Sequence, residues 1–263
     1  MTNWREKAVN FDHFVFSPDS EGRSQFIWLD SARRNLDQVT FGLSTVIGDV
    51  RQGPKGHKEF HEAICAMGAL LGAGLVGIDK TDQHGMNYVK MIQGYFNSGT
   101  GWNIMMKKAQ PEVGRLGGGY GRDWWYDVFP NVLFYGLCEL FPDVSGASQL
   151  QRTIAEQFYK ADSVLNGNYD YSFFNYAEMK GMRNHIPFQQ DVSAGHAYVL
   201  LCAYDKFGDE RYLAGAKSAM DVFVAQKESR FYEVLMPFGA LVAARLNAEH
   251  GTNYDIGKIL DWT

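Results

Sequence analysis

From Asp127 to the last residue the chain alternates two kinds of helical segment, and this alternation restricts the fold more tightly than any other feature of the sequence. Residues 127–141 carry Val128, Val132, Leu133, Tyr135, Leu137 and Leu140 and leave almost no polar face, as expected of a helix buried on all sides. Residues 148–165 are amphipathic, 191–207 are rich in Ala, Leu and Tyr, 209–226 are amphipathic again, 233–249 are mostly apolar, and 255–262 begin another helix. Such an order predicts a repeated helical hairpin, with the apolar helix of each pair inside and the amphipathic one outside. The repeat also marks individual residues. Trp125-Tyr126-Asp127-Val128 with Pro130 recurs as Phe231-Tyr232-Glu233-Val234 with Pro237, and Tyr126 and Tyr232 stand 106 residues apart, or two hairpins of about 50 residues each. The turn Gly208-Asp209-Glu210-Arg211-Tyr212 has a weaker echo in Gly251-Thr252-Asn253-Tyr254-Asp255.

Stacked helix pairs form an open superhelix or close into a ring. Long loops of Trp, Tyr, Gly and acidic residues precede the apolar helices and would converge at one end of a ring, with the short turns at the other. The start of the chain reads differently. Residues 1–30 are expected to form an irregular arm, with aromatic clusters at Phe11, Phe14 and Phe16 and at 26–29 around the turn-like stretch 17–22, and residues 31–263 the helical domain. Asp30 is a good N-cap for a helix carrying Leu36, Val39, Leu43, Val46 and Ile47; 58–78 and 83–96 are expected as helices, and 105–121 as a Gly-rich loop. With Asp127 as N-cap, Pro130 falls in the first turn, where a proline is tolerated, and 123–126 lie in the entering loop.

Composition excludes several classes. The 263 residues are 46% hydrophobic and 21% charged, the balance of a globular chain with a large core, and a formal charge of -5 without basic blocks argues against a nucleic-acid surface. The longest apolar stretch, 63–78, is broken by Gly68, Gly72, Gly74 and Gly77, so no membrane span is expected. Residues 1–7 hold no apolar signal core; a leader trimmed from the natural chain would leave the compartment open. Cys65, Cys138 and Cys202 lie far apart in apolar windows and read as packing residues. The glycines at 117, 118, 119 and 121 follow no strand and precede no Lys-Ser or Lys-Thr, so no phosphate loop and no cofactor is expected. No DDxxD or DxDD stretch suggests terpenoid chemistry. His57 and His61 share a helical face, but Lys58 stands where a zinc protease motif needs Glu, so no metal is expected.

The run Tyr198-Val199-Leu200-Leu201-Cys202-Ala203-Tyr204-Asp205-Lys206-Phe207-Gly208-Asp209-Glu210-Arg211-Tyr212-Leu213, with the aromatic and acidic entrances at 124–127 and 231–233, resembles the six-hairpin, or (α/α) toroid, glycosidase-like superfamily over about residues 117–263. The resemblance implies an all-α toroid whose members are mostly glycoside hydrolases, with polysaccharide lyases of related architecture, and whose sites lie at the N-terminal ends of the inner helices. A complete toroid has twelve helices; about eight and a fragment are legible here. The chain stops some two turns into a helix at Leu260-Asp261-Trp262-Thr263, so a ring truncated at its C-terminal side is expected.

Glycosyl cleavage needs one carboxylic acid to protonate the leaving oxygen and a second carboxylate to attack or to activate water, and sugar rings stack on flat aromatic faces. Asp123, Asp127, Asp191 and Glu233 stand at or near inner-helix entrances; the plainer use of Asp127, Asp191 and Glu233 is as N-cap or first-turn acids. The expected assignment is Asp127 as general acid, desolvated by aromatics, and Glu233 as base or nucleophile, with Asp123 and Asp191 as substitutes. Trp124, Trp125, Tyr126 and Tyr232 would wall the mouth, with Arg122 and His196 beside them, and the partner would be an oligosaccharide or polysaccharide. Two alternatives stand. A lyase would use Tyr126 or His196 as base and Arg115, Arg122 or Arg183 to neutralise a uronate, and a non-catalytic glycan-binding or scaffold module would use the aromatics alone.

Overall fold

A computed structural model of the chain describes residues 2–24, 26–43, 62–110, 123–228 and 234–263. They are mostly helical, with short antiparallel strand pairs, and divide into two compact units: residues 1–100, 105–115 and 133–150 in one, and 101–104, 116–132 and 151–263 in the other.

In the first unit, helix α1 (Trp4–Phe16) replaces the irregular start expected of the arm. Asn3 caps it, its side-chain oxygen accepting from the Glu6 N–H at 3.2 Å, and the helix buries Asp12, Val15 and Phe16. Strands β1 (Ile27–Asp30) and β2 (Thr40–Leu43) pair antiparallel, Trp28 opposite Gly42, where sequence spacing predicted a helix. The physical reason lies between them. Asp30 accepts from the Ala32 N–H and from Arg34, and Arg33, Leu36 and Asp37 all have positive φ, which no α-helix accommodates. Gly42 is required there, since a Cβ would stand 2.7 Å from the Trp28 ring. Helix α2 (Glu62–Leu75) begins within the expected 58–78. The expected helix 83–96 is reduced to α3 (Tyr88–Met91), capped by Asn87, and a 3-10 turn (Ile92–Tyr95) leading into strand β3 (Phe96–Asn97). Phe16, Phe41 and Tyr88 form the aromatic centre of this unit, with ring centroids 4.9–5.8 Å apart. Beside them the fully buried Lys80 pairs with the Asp12 carboxylate and lies 3.2 Å above the Phe16 ring.

Beyond strand β4 (Ile104–Met105), helix α4 (Trp124–Leu140) starts three residues earlier than the acid-capped start expected at Asp127. Residues 124–126 are therefore helical rather than looped, and Pro130 lies inside the helix. Two of the orphan N–H groups of its first turn find partners outside the helix: Trp124 donates to the Ser172 carbonyl at 3.1 Å and Trp125 to Gln189 Oε1 at 2.9 Å.

The second unit is built from the first half of α4, helix α5 (Ala147–Leu165) from Gln151 on, the hairpin of β5 (Phe173–Asn175) and β6 (Lys180–Met182), and helices α6 (Val192–Phe207), α7 (Glu210–Ala225), α8 (Leu235–His250) and α9 (Ile256–Leu260). The α6/α7 turn follows from two residues: Gly208 ends α6 with φ 66° and Asp209 caps α7 by accepting from the Arg211 N–H. Gly251 and Asp255 do the same between α8 and α9. As expected, α6 is buried continuously from Val192 to Ala203 whereas α7 buries one face; α8 also buries only one face, with Leu241 48% exposed on the other.

Candidate functional site

The N-terminal halves of α4 and α6 and the start of α8 meet at Gly195. A Cβ there would lie 2.3 Å from Val128, 3.3 Å from Leu235 and 3.5 Å from Val132, so the three helices approach as closely as they do only because position 195 has no side chain. Phe238 of α8 touches Phe129 of α4 and Tyr198 of α6, with centroids 6.2 and 5.1 Å apart. The N-terminal parts of these helices thus lie together. Asp127 in the first turn of α4 is fully buried, and its carbonyl accepts from Asn131. Asp191, at the start of α6, is also buried; it has helical φ and ψ and its side chain makes no capping hydrogen bond, in contrast to the N-cap use weighed for it. Asp123 occupies the position before α4, where its carbonyl accepts from the Tyr126 N–H, and is half-buried. Glu233, Tyr232, Arg122 and Arg115 lie outside the described residues, as do His57 and His61.

Aromatic side chains expected at an open mouth are core instead. Trp124 and Tyr126 are buried; only Trp125, stacked on Tyr126 at 3.9 Å, is partly exposed. Trp124 lies stacked near Tyr169 and Phe174, its ring centroid 5.4 and 5.5 Å from theirs at interplanar angles of 11° and 14°. The loop before β5 supplies Tyr169, β5 supplies Phe174, and the turn after it supplies Tyr176. Around this stack runs a chain of polar groups. Trp124 Nε1 donates to the Tyr176 hydroxyl (3.1 Å), which lies 2.8 Å from His196 Nε2; the Tyr169 hydroxyl lies 3.4 Å from His196 Nδ1 and donates to Asp162 Oδ1 (2.8 Å), which also accepts from Ser218 (3.3 Å).

Counting hydrogens assigns the direction of every bond. Tyr169 gives its one hydrogen to Asp162, so it accepts from His196, which places the imidazole proton on Nδ1. Nε2 then accepts from Tyr176, whose oxygen accepts from Trp124. His196 is neutral: burial lowers its pKa to about 3. Burial likewise pushes the phenols of Tyr169 and Tyr176 well above their ordinary range, the first raised further by Asp162 and the second by the nearby charge of Asp127. Burial raises Asp162 against the opposing hydrogen bonds from Tyr169 and Ser218. The sequence marks Asp162 as an acid on the apolar stripe of Phe158, Ala161 and Leu165, a signal from which this network could be found; Tyr169 and Tyr176 have none beyond the aromatic loop containing them.

Arg183, considered for binding a uronate, is exposed, donates to the Asp170 carbonyl at 2.9 Å and stacks over Phe188. Among the described residues no group of three or more His, Cys, Asp or Glu side chains could hold a metal, and no helix is long and apolar enough to cross a membrane. Cys138 and Cys202 are buried and Cys65 partly so.

No family model, curated protein or solved structure matches this chain.

Proposed function

We propose that the chain is a carbohydrate-active enzyme of helical-toroid type that hydrolyses glycosidic bonds, with Asp127 as general acid, Glu233 as base or nucleophile, and Asp123 and Asp191 as the other carboxylates of the site. One observation supports the reading: the N-terminal halves of α4 and α6 and the start of α8 pack around Gly195, so the ends of α4 and α6 that carry Asp127 and Asp191 lie on the same side of the helical layer. Helix N-termini favour carboxylates there, and a general acid acts by passing its proton to the leaving oxygen. Trp125 is the partly exposed aromatic on which a sugar ring would stack.

The experiment is reducing-sugar release from a panel of neutral and acidic oligosaccharides and polysaccharides. Asp127→Asn preserves volume, so the fold should persist by circular dichroism and thermal midpoint, while turnover falls by about two to four orders of magnitude. Full activity in that variant would remove Asp127 from the mechanism. Absence of product from every glycan would remove the hydrolase reading, and an ultraviolet-absorbing unsaturated product would replace it with a lyase.

A further inference from the structure

Helix α8 is apolar on both sides, and only one side is packed. Leu235, Met236, Gly239, Val242, Ala243 and Leu246 are buried in the second unit. On the opposite side Val234, Leu241 and Ala248 stand seven residues apart, and so nearly in line along the helix; all three are exposed, Val234 to 43% and Leu241 to 48%. Pro237, exposed, and Ala244, half-buried, flank that line on one side, and the half-buried Phe238 and Arg245 flank it on the other. Phe238 carries the face onto α4, where it touches the half-buried Phe129, whose ring lies 6.2 Å from that of Trp125. Single apolar residues on a surface are ordinary, but a line of them along a whole helix marks an interface.

The order of side chains along this face selects the occupant. The larger residues Val234, Pro237 and Phe238 fill its N-terminal half, Ala244 and Ala248 leave the C-terminal half low, and Leu241 stands at the midpoint. A second copy laid antiparallel across the face sets bulk against hollow twice. About a two-fold axis beside Leu241, Val234 of one copy meets Ala248 of the other, Pro237 meets Ala244, Phe238 lies against the aliphatic stem of Arg245, and the two Leu241 side chains meet each other. The ends match in charge as well. Glu249 of each copy, held ionised by Arg245, comes beside the start of the other copy's α8, the positive end of the helix dipole, where Val234 supplies no side-chain cap. Arg245 meanwhile keeps Asp205 and Glu249, both at 2.9 Å. We propose that the chain forms a two-fold homodimer through α8, packed antiparallel with Leu241 on the axis. A single helix face with Phe129 and Trp125 beside it is smaller than the roughly 800 Å² per partner of a standard interface, so a Kd of about 10–100 µM is expected.

Sedimentation velocity on the full chain, from about 1 to 500 µM, tests it. The weight-average mass should rise from that of one chain toward that of two. Leu241→Glu sets two carboxylates against each other on the axis and should hold the protein monomeric throughout the range, with circular dichroism and thermal midpoint unchanged because position 241 is exposed. Leu241→Lys should do the same by itself. An equimolar mixture of the two variants should associate again, since only a face on which 241 meets 241 turns two repulsions into one attraction. If Leu241→Glu does not fold, Ala248→Glu, exposed on the same line and opposite Val234, makes the first comparison. A parent chain that stays monomeric at every concentration, association that survives Leu241→Glu, or a mixture of the Glu and Lys variants that stays monomeric would each overturn the proposal. No step of the test measures glycan cleavage, so its outcome is separate from that of the hydrolase reading.

Discussion

His196 is neutral because of where it sits: enclosed by Phe158, Tyr169, Tyr176 and Trp124, with both ring nitrogens engaged by phenols, it gains no counter-charge that would favour protonation. The unfolded chain takes up a proton near 6.5 and the folded chain only near 3, so between those values the unfolded state binds more protons. The stabilisation from the neutral ring is therefore complete above about pH 6.5 and is lost as pH falls toward 3, by about 2–5 kcal/mol in total. Asp162 has the opposite sign. Its carboxyl is raised by burial, so the stability tied to its protonated form is present below 3.8 and lost as pH rises. Urea midpoints should fall between about pH 7 and pH 4.5, and His196→Gln should flatten that fall while Asp162→Asn preserves it. An equal slope in the His196→Gln variant would show that other groups control the acid side. None of this network could be assembled from sequence, because Asp162, Tyr169, Tyr176 and His196 meet only through tertiary packing. His196 alone stood out there, and being a histidine in an apolar helix does not reveal its partners.

At the level of elements, boundaries fixed by local chemistry were legible and those fixed at a distance were not. The α6/α7 and α8/α9 turns announce themselves by a glycine with positive φ and a capping aspartate four or fewer residues apart. The start of α4 does not, because its first N–H groups are satisfied by Ser172 and Gln189, 48 and 64 residues downstream. The helical spacing of Leu36, Val39 and Leu43 predicts a helix over part of the β1/β2 hairpin, whereas the positive φ of Leu36 and Asp37 breaks any helix there. One close helix contact of the second unit yields a direct test. Gly195→Ala puts a methyl 2.3 Å from Val128, a distance no Cβ sustains, and should destabilise by about 1–3 kcal/mol in chemical denaturation. Adding Val128→Ala should return part of that loss, since the added methyl then occupies vacated space; strictly additive effects would mean that the helices separate rather than clash.

For the molecule as a whole, the two units differ in how their buried charges are handled. Among its buried ionisable groups, which include Lys107 and Lys108, the first sets Lys80 against Asp12 and an aromatic ring, a paired charge; among those of the second, which include Asp127 and Asp191, are a neutral imidazole and a raised carboxyl. Acidification should therefore act unevenly. Hydrogen exchange followed by mass spectrometry, compared between about pH 7 and pH 5 after correction for intrinsic rates, should show loss of protection concentrated in peptides of α5, α6 and the 167–176 segment, with those of α1 and α3 little changed. Loss spread evenly over both units would contradict this. The second unit is also the part whose sequence carried the hairpin repeat; the first, with its short strands and 3-10 turn, offered no period to read. Finally, the absent side chain at position 195 restricts descent as well as folding. A lineage that exchanged this glycine for anything larger would have to shorten the valine at 128 at nearly the same time, so among homologous chains the two positions should change together, the larger residue passing from one helix to the other.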